Sequence, residues 1–304
     1  MNLFKLIRAF SQSDVKSRKP AIQIPVLKHS SNDFKQEASQ KMKIMWLGHV
    51  GLLIEIGGKR ILVDPVFSQR ASPVSFAGPE RFHENPLDLD DLPHINLVLI
   101  SHNHYDHLDH QMVKQLKDEE TQFISTLGLE TTFSCWGVKP GWHHSLDWHE
   151  RFSLGDLEII ATPSRHFSGR TPFDRNKTFW CSFVIRTKDE SLFYEADSGY
   201  FNGFKEIGDQ YGPFDATAMG IGAYNKLWAN IHTFPEEALK AHQELRGKKM
   251  LPIHWCTFNL ALHPWEEPIE RTIKAAEEND IELLLPEVGE WIDTEKKYKN
   301  KWWR

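Results

Sequence analysis

NLVLISHNHYDHLD, residues 96–109, is the stretch of sequence that most constrains the fold. It opens with an apolar run of the kind that forms a short buried strand, and it continues directly into an H-x-H-x-D-H motif. Alternate residues of an extended loop point the same way, so His102 and His104 can reach one metal ion. Asp106 and His107 follow after the chain bends and can bind a second ion. Imidazole and carboxylate ligands suit zinc, so we predict a site for two Zn2+ ions.

Three further candidate ligands stand at the ends of other apolar segments. LEIIATPSRH ends at His166, LFYEAD ends at Asp197, and KMLPIH ends at His254. Taken singly, each is more readily a core or turn residue than a ligand. Beside the motif, they supply the additional ligands that two metal ions need. The two carboxylate oxygens of Asp197 could bridge the metals, and we predict catalytic roles for Asp197 and Asp106.

The rest of the chain indicates a layered α/β architecture. Helical patterns follow the motif and recur in PEEALKAHQELRG and EEPIERTIKAAEEND, interspersed with apolar strand-like segments. These segments are KIMWLG, LLIEIG, RILVDP, FIST, LEIIATP, FWCSFVIRT, LFYEAD, FDATAMG, KMLPIHW and IELLLP. We predict a peripheral N-terminal segment at residues 1–40 and a catalytic domain at residues 41–304.

Composition narrows the class of protein. The chain has 304 residues with a net charge of −6, which argues against a nucleic-acid binder. Its three cysteines, Cys135, Cys181 and Cys256, are far apart and odd in number, which favours a reducing compartment and a cytoplasmic location. No apolar run reaches the length of a transmembrane helix, and Lys5 and Arg8 interrupt the segment where a signal peptide would need continuity.

Both ends of the chain suggest peripheral contact with a membrane surface. Leu3, Phe4, Ile7 and Phe10 could share one face of a short helix, and the alternative is a tail or an arm packed on the body. The C-terminal KNKWWR places two tryptophans among basic residues, a mixture favoured at membrane interfaces, and the alternative is a docked tail.

Several longer segments resemble one known family. They are WLGHVGLLIEI, DPVFSQRASPVSFAGPERF, LISHNHYDHLD, TPSRHF, EADSGYF, GPFDATAMGIGAY, PEEAL and IHWCTF. They resemble the metallo-β-lactamase superfamily and, more narrowly, its N-acylphosphatidylethanolamine-hydrolysing phospholipase D family. The resemblance implies a four-layer αββα sandwich. It also implies one zinc ion bound by His102, His104 and His166, a second bound by Asp106, His107 and His254, and a bridge through Asp197.

The resemblance further implies an activity. The enzyme would hydrolyse N-acylphosphatidylethanolamine to N-acylethanolamine and phosphatidate, using hydroxide formed from a water that the metals share. Its partners would be a phospholipid substrate and a membrane surface, and a homodimer is an open possibility. A lactonase or cyclic phosphodiesterase of the same fold is the alternative, because NKLWANIHTF, residues 225–234, departs from the family pattern. A non-catalytic binding module is disfavoured by the complete ligand set.

Other residues have open assignments. We predict that Tyr105 and His232 contact substrate, although packing and an exposed loop are the respective alternatives. Asp64 and Asp109 could accept hydrogen bonds from ligand imidazoles or act in turns and caps. His49 could face the site or lie in the core, and these alternatives are not separated by the sequence.

Overall fold

The computed structural model describes residues 17–294, 298 and 301–304. The predicted apolar face at residues 3–10 therefore lies outside the described residues. Over the described part of the chain, two sheets of seven strands form. The first contains, in spatial order, β14 (Trp291–Asp293), β1 (Lys43–Gly48), β2 (Gly51–Ile56), β3 (Lys59–Val63), β4 (Leu97–Ile100), β5 (Gln122–Thr126) and β6 (His143–Leu146).

The strands of the second sheet, β7 to β13, come after β1 to β6 in the sequence. In spatial order it contains β13 (Glu282–Leu283), β12 (Gly247–Ile253), β11 (Phe214–Gly220), β10 (Ser191–Tyr194), β9 (Ser182–Arg186), β8 (Leu157–Thr162) and β7 (Arg151–Leu154). Strands β3 to β6 are parallel, and so are β10 to β13. Carboxyl ends of neighbouring parallel strands lie at one edge, where loops can converge on a shared site.

Helices cover the outer faces of both sheets. They are α1 (His110–Leu116), α2 (Glu130–Cys135), α3 (Gly203–Tyr211), α4 (Pro235–Glu244) and α5 (Glu267–Asn279). Strand β4 shows how the layers form, because Leu97 and Leu99 join the core between the sheets while Val98 and Ile100 pack with α1 and α2. Alternate residues of a strand point to opposite faces, so a parallel strand buried on both faces is apolar throughout. The predicted αββα sandwich is confirmed.

Sequence patterns missed several short elements. Strands β6, β7 and β14, together with α2 and α3, carry no long apolar period. The sequence HQMVKQLKDEE, residues 110–120, also predicts a helix after the motif, but that helix ends at Leu116. Helix α3 contains Gly208, which lowers its helix propensity. A Cβ atom at Gly208 would lie 2.1 Å from the Glu244 carbonyl oxygen, so this glycine allows α3 and α4 to approach closely.

The ends of the described chain pack on the sandwich. Val26 forms a bridge with Val288, and Ile24 is buried in the main core. The Trp302 ring stacks on Trp255 at a centroid distance of 5.4 Å, and Trp303 is only 3% exposed. Trp302 and Trp303 are therefore docked on the body of the protein, and they do not form the exposed membrane contact that their sequence context suggested.

A buried histidine in α4 makes stability depend on pH. His242 is 2% exposed, its Nδ1 lies 2.8 Å from the Thr217 hydroxyl oxygen, and burial lowers its pKa from 6.5 to about 4. The folded chain keeps this imidazole neutral while the unfolded chain protonates it. We expect the group to reduce the free energy of unfolding by up to about 3 kcal/mol as the pH falls through that window.

Urea unfolding of the parent protein and of His242→Gln, at about pH 7 and about pH 4, measures this contribution. Glutamine can hydrogen-bond to Thr217 but does not titrate, so the variant should lose less stability on acidification. Equal acid losses in both proteins would show that His242 does not make this contribution.

Candidate metal centre

Loops that follow parallel strands bring the site together at one edge of the sandwich. Asp64 follows β3, His102 follows β4, Asp197 follows β10 and His254 follows β12. His166 comes from the loop after β8. A rigid two-sheet scaffold can thus hold side chains that are far apart in the sequence at fixed distances from one another.

Asp197 lies at the centre of the cluster. Its Oδ2 is 3.2 Å from His107 Nε2, 3.3 Å from His166 Nε2 and 3.7 Å from His102 Nε2. Its Oδ1 is 3.0 Å from His254 Nε2. The carboxylate therefore faces histidines of both predicted ligand sets, as a bridging group must.

The seven predicted ligands form two adjoining groups. In the first, the potential ligand atoms of His102, His104, His166 and Asp197 all lie within 4.8 Å of one another. In the second, the same limit holds for Asp106, His107 and His254, joined by His49. The structure brings the seven residues predicted as ligands close together, in groups that correspond to the two sets implied by the resemblance, and His232 lies in a further group with Asp197 and His254.

The unpaired atoms of this cluster fit metal ions. His107 Nε2, His254 Nε2 and Asp197 Oδ1 are buried, and although the imidazole nitrogens lie 3.0 to 3.2 Å from Asp197 oxygens, none of the three atoms makes a hydrogen bond of good geometry. Buried polar atoms are rarely left unpaired, and imidazole nitrogens together with carboxylate oxygens are the donor set that binds divalent transition metals. The residues present therefore fit a pair of such ions.

Burial and the neighbouring carboxylates shift the pKa values of the site's histidines in opposite directions. Burial lowers the pKa of His102 and of His166 well below the usual value, which keeps both rings neutral. Burial alone would raise the pKa of Asp197, but His254, His107 and His232 hold it well below its usual range. Burial likewise opposes a charge on His107, yet the nearby carboxylates raise its pKa well above the ordinary value. The carboxylates beside His107 thus stabilise a positive charge at this position.

Asp64 contacts His107, a predicted ligand, on the side of the ring that faces away from Asp197. It is fully buried, and its Oδ2 lies 2.8 Å from His107 Nδ1 and accepts a hydrogen bond of 2.8 Å from the Tyr194 hydroxyl. Its Oδ1 accepts a hydrogen bond from the backbone N–H of Ser101. A carboxylate at Nδ1 fixes the tautomer that leaves Nε2 free to bind metal. Asp109 instead caps α1 and holds the backbone at Phe67, without contacting a ligand histidine.

His49 faces the site rather than serving only as a core residue. Its Nε2 is 3.0 Å from Asp106 Oδ2, and its ring centroid is 4.3 Å from that of His254. Its backbone has φ +52°, a strained region that is held by hydrogen bonds to Thr257 and His254. The strain is consistent with a side chain that must point at Asp106. In the sequence, its position near a strand turn was the only signal of this role.

The predicted substrate contacts border the cluster. His232 Nδ1 lies 4.0 Å from Asp197 Oδ1, on the side of His166 and His254. Tyr105 lines a cavity of about 540 Å³ beside the motif. Sequence reasoning missed Arg170, which stacks over the Tyr105 ring at 3.9 Å and donates hydrogen bonds to the carbonyl oxygens of Asn103 and Leu108. Cys256 is buried in the core between the sheets.

Comparisons with known proteins agree with this geometry. Residues 59–255 match the model of the β-lactamase superfamily domain. An uncharacterized protein of Mycobacterium bovis is 40% identical over 291 residues, covering 94% of this chain and 77% of that protein. The N-acyl-phosphatidylethanolamine-hydrolyzing phospholipase D 1 of Caenorhabditis elegans is 30% identical over 310 residues, covering 95% and 86% respectively.

A solved structure shows the same fold. The metallo hydrolase Igni18 of Ignicoccus hospitalis superposes with a TM-score of 0.64 at 21% identity, covering 83% of this chain and 97% of that one. The chain therefore belongs to the β-lactamase superfamily. Within that superfamily it is a metal-dependent hydrolase with the metallo-β-lactamase fold, related at 30% identity to a phospholipase D.

Proposed function

We propose that the protein is a zinc-dependent phosphodiesterase of the phospholipase D type. Its substrate would be N-acylphosphatidylethanolamine, and its products would be N-acylethanolamine and phosphatidate. The observation that carries this proposal is that Asp197 lies between the two groups of predicted ligands. In addition, 95% of this chain aligns with a phospholipase D that is named for this substrate.

The chain's own residues would divide the work as follows. His102, His104 and His166 would hold one zinc ion, Asp106, His107 and His254 the other, and Asp197 would contact both. Two ions in such a site supply Lewis acidity toward the phosphate oxygens and lower the pKa of a bound water.

Residues outside the ligand set would orient the substrate and the site. Burial lowers the pKa of His232 to about 4, so near neutral pH its ring is uncharged and can donate a hydrogen bond to a phosphate oxygen. His49 and Asp64 would fix the orientations of Asp106 and His107. Arg170 would pin the motif loop through its two carbonyl contacts.

A lactonase of the same fold remains the competing function. The segment from Asn225 to His232 departs from the phospholipase pattern, and it lies beside the ligand cluster because the Ile231 carbonyl oxygen is 3.0 Å from His166 Nδ1. Substrate preference is therefore the property that this segment could change.

A paired substrate assay separates the two functions. Zinc-loaded protein is incubated with N-acylphosphatidylethanolamine in mixed micelles and, separately, with a small lactone. We expect phosphatidate and N-acylethanolamine in equal amounts, loss of both on chelation, and recovery when zinc is returned. His254→Ala should abolish turnover because it removes a ligand, whereas His94→Ala, at an exposed position, should leave it unchanged. Turnover of the lactone alone would refute the proposal.

A further inference from the structure

Three loops near the H-x-H-x-D-H motif or His166 carry exposed apolar side chains. We call them together the rim, and they comprise residues 68–80, 165–178 and 223–233. Phe76 is 82% exposed and Phe173 is 84% exposed, so both rings project almost entirely into solvent. Val74 and Leu227 on the same loops are also exposed. Exposing so much of a phenylalanine ring to water is unfavourable. Exposed apolar side chains of this size therefore indicate a surface that binds a partner.

The loops of the rim are tied to the site itself. Val74 and Arg170, from the first two loops, line the cavity that also contains Tyr105 of the motif. The third loop contacts His166 through the Ile231 carbonyl oxygen. The first two loops therefore border one cavity beside the motif, and the second and third loops meet at His166.

Charge on the rim is opposite in sign to that of the whole chain. The three loops contain six arginine or lysine residues and two carboxylate residues, in a protein whose net charge is −6. Lys177 and Lys226 are exposed beside the apolar side chains. Apolar tips among basic residues fit the boundary between acyl chains and anionic headgroups better than they fit an acidic soluble surface.

We propose that the rim is the surface by which the protein docks on a phospholipid bilayer. Phe76 and Phe173 enter the boundary between headgroups and acyl chains, and the exposed Lys177 and Lys226 contact headgroup phosphates. The relevance of this docking to catalysis rests on the proposed function, since a bilayer is where a phospholipid substrate is found. The binding itself is a property of the rim and does not require turnover.

Vesicle sedimentation of the full, zinc-loaded chain tests the proposal. Vesicles of phosphatidylcholine alone and of phosphatidylcholine with phosphatidylserine are compared, at low and high salt. We expect binding that is stronger with phosphatidylserine and weaker at high salt. The double variant Phe76→Ser/Phe173→Ser should bind about tenfold more weakly or worse, because two apolar side chains no longer enter the interface.

Leu227 and Leu27 provide a matched pair. They are 46% and 45% exposed, but only Leu227 is on the rim. Leu227→Ser should weaken vesicle binding, and Leu27→Ser should not. Metal content and thermal unfolding of every variant should match the parent protein, and Phe173→Leu should retain most binding because it keeps an apolar side chain.

The outcomes separate docking from catalysis. Absence of vesicle binding by the parent protein, or unchanged binding in the double variant, would overturn the docking proposal. Rim-dependent binding without hydrolysis of N-acylphosphatidylethanolamine would refute the proposed function and leave the docking surface standing. Hydrolysis of N-acylphosphatidylethanolamine in mixed micelles without any vesicle binding would refute the docking proposal and leave the proposed function standing.

Discussion

Replacing Asp197 by asparagine is expected to lower hydrolysis by about a thousandfold or more and to reduce the bound metal below two ions per chain. The asparagine would keep the size of the side chain but would lack the negative charge that faces His107, His166 and His254. A neutral amide also cannot supply two anionic oxygens to adjacent ions. Metal analysis after gel filtration and initial rates with N-acylphosphatidylethanolamine measure both effects.

The matched control is Asp209→Asn. Asp209 is an exposed carboxylate of α3 that pairs with Lys205 rather than with any ligand histidine. This variant should bind the same metal as the parent protein and should turn over at the same rate. Full metal content and normal rates in Asp197→Asn would show that the carboxylate does not join the two ligand groups.

Asp64→Asn is expected to produce the second large effect, although Asp64 is not a predicted metal ligand. If the asparagine oxygen accepts from the Ser101 backbone N–H, its NH2 group must face His107 Nδ1. That arrangement favours the His107 tautomer with its proton on Nε2, the atom that faces Asp197. We expect metal affinity to fall by about 10- to 100-fold, as is common when a carboxylate behind a ligand histidine is lost.

Tyr194→Phe is the control for this prediction. It removes one hydrogen bond to Asp64 but keeps the carboxylate, so it should cost stability of about 1 kcal/mol while largely preserving metal affinity. Competition with a chromophoric chelator gives the affinities. Equal affinities for the parent protein and Asp64→Asn would contradict a role for Asp64 in setting the His107 tautomer.

The sequence predicted Asp197 and His254 because each follows an apolar strand, whereas the H-x-H-x-D-H motif predicted His102, His104, Asp106 and His107. Burial on both faces of a parallel strand leaves a clear apolar run, and a polar residue at its end is then conspicuous, as at Asp197 and His254. Strands with fewer buried positions carry no such signal. Strand β6 reads HHSL and is fully buried only at Leu146, so its apolar period is absent.

Roles that depend on the direction of a side chain could not be predicted. Asp64 and Asp109 both occupy positions that allow a contact with histidine, yet only Asp64 makes one, because Asp109 is engaged by the start of α1. The position of His49 depends on a left-handed backbone conformation that Thr257, about two hundred residues later, helps to hold. Arg170 acts through backbone carbonyl oxygens, which leave no trace in the sequence.

Anomalous X-ray diffraction at the zinc edge, from crystals of the protein purified with zinc, would locate the metal ions. We predict two anomalous peaks on either side of Asp197, one next to His102, His104 and His166, and the other next to Asp106, His107 and His254. A single peak, a pair of peaks elsewhere in the sandwich, or no peak in protein that is catalytically active would contradict a hydrolase built on two ions joined by this carboxylate.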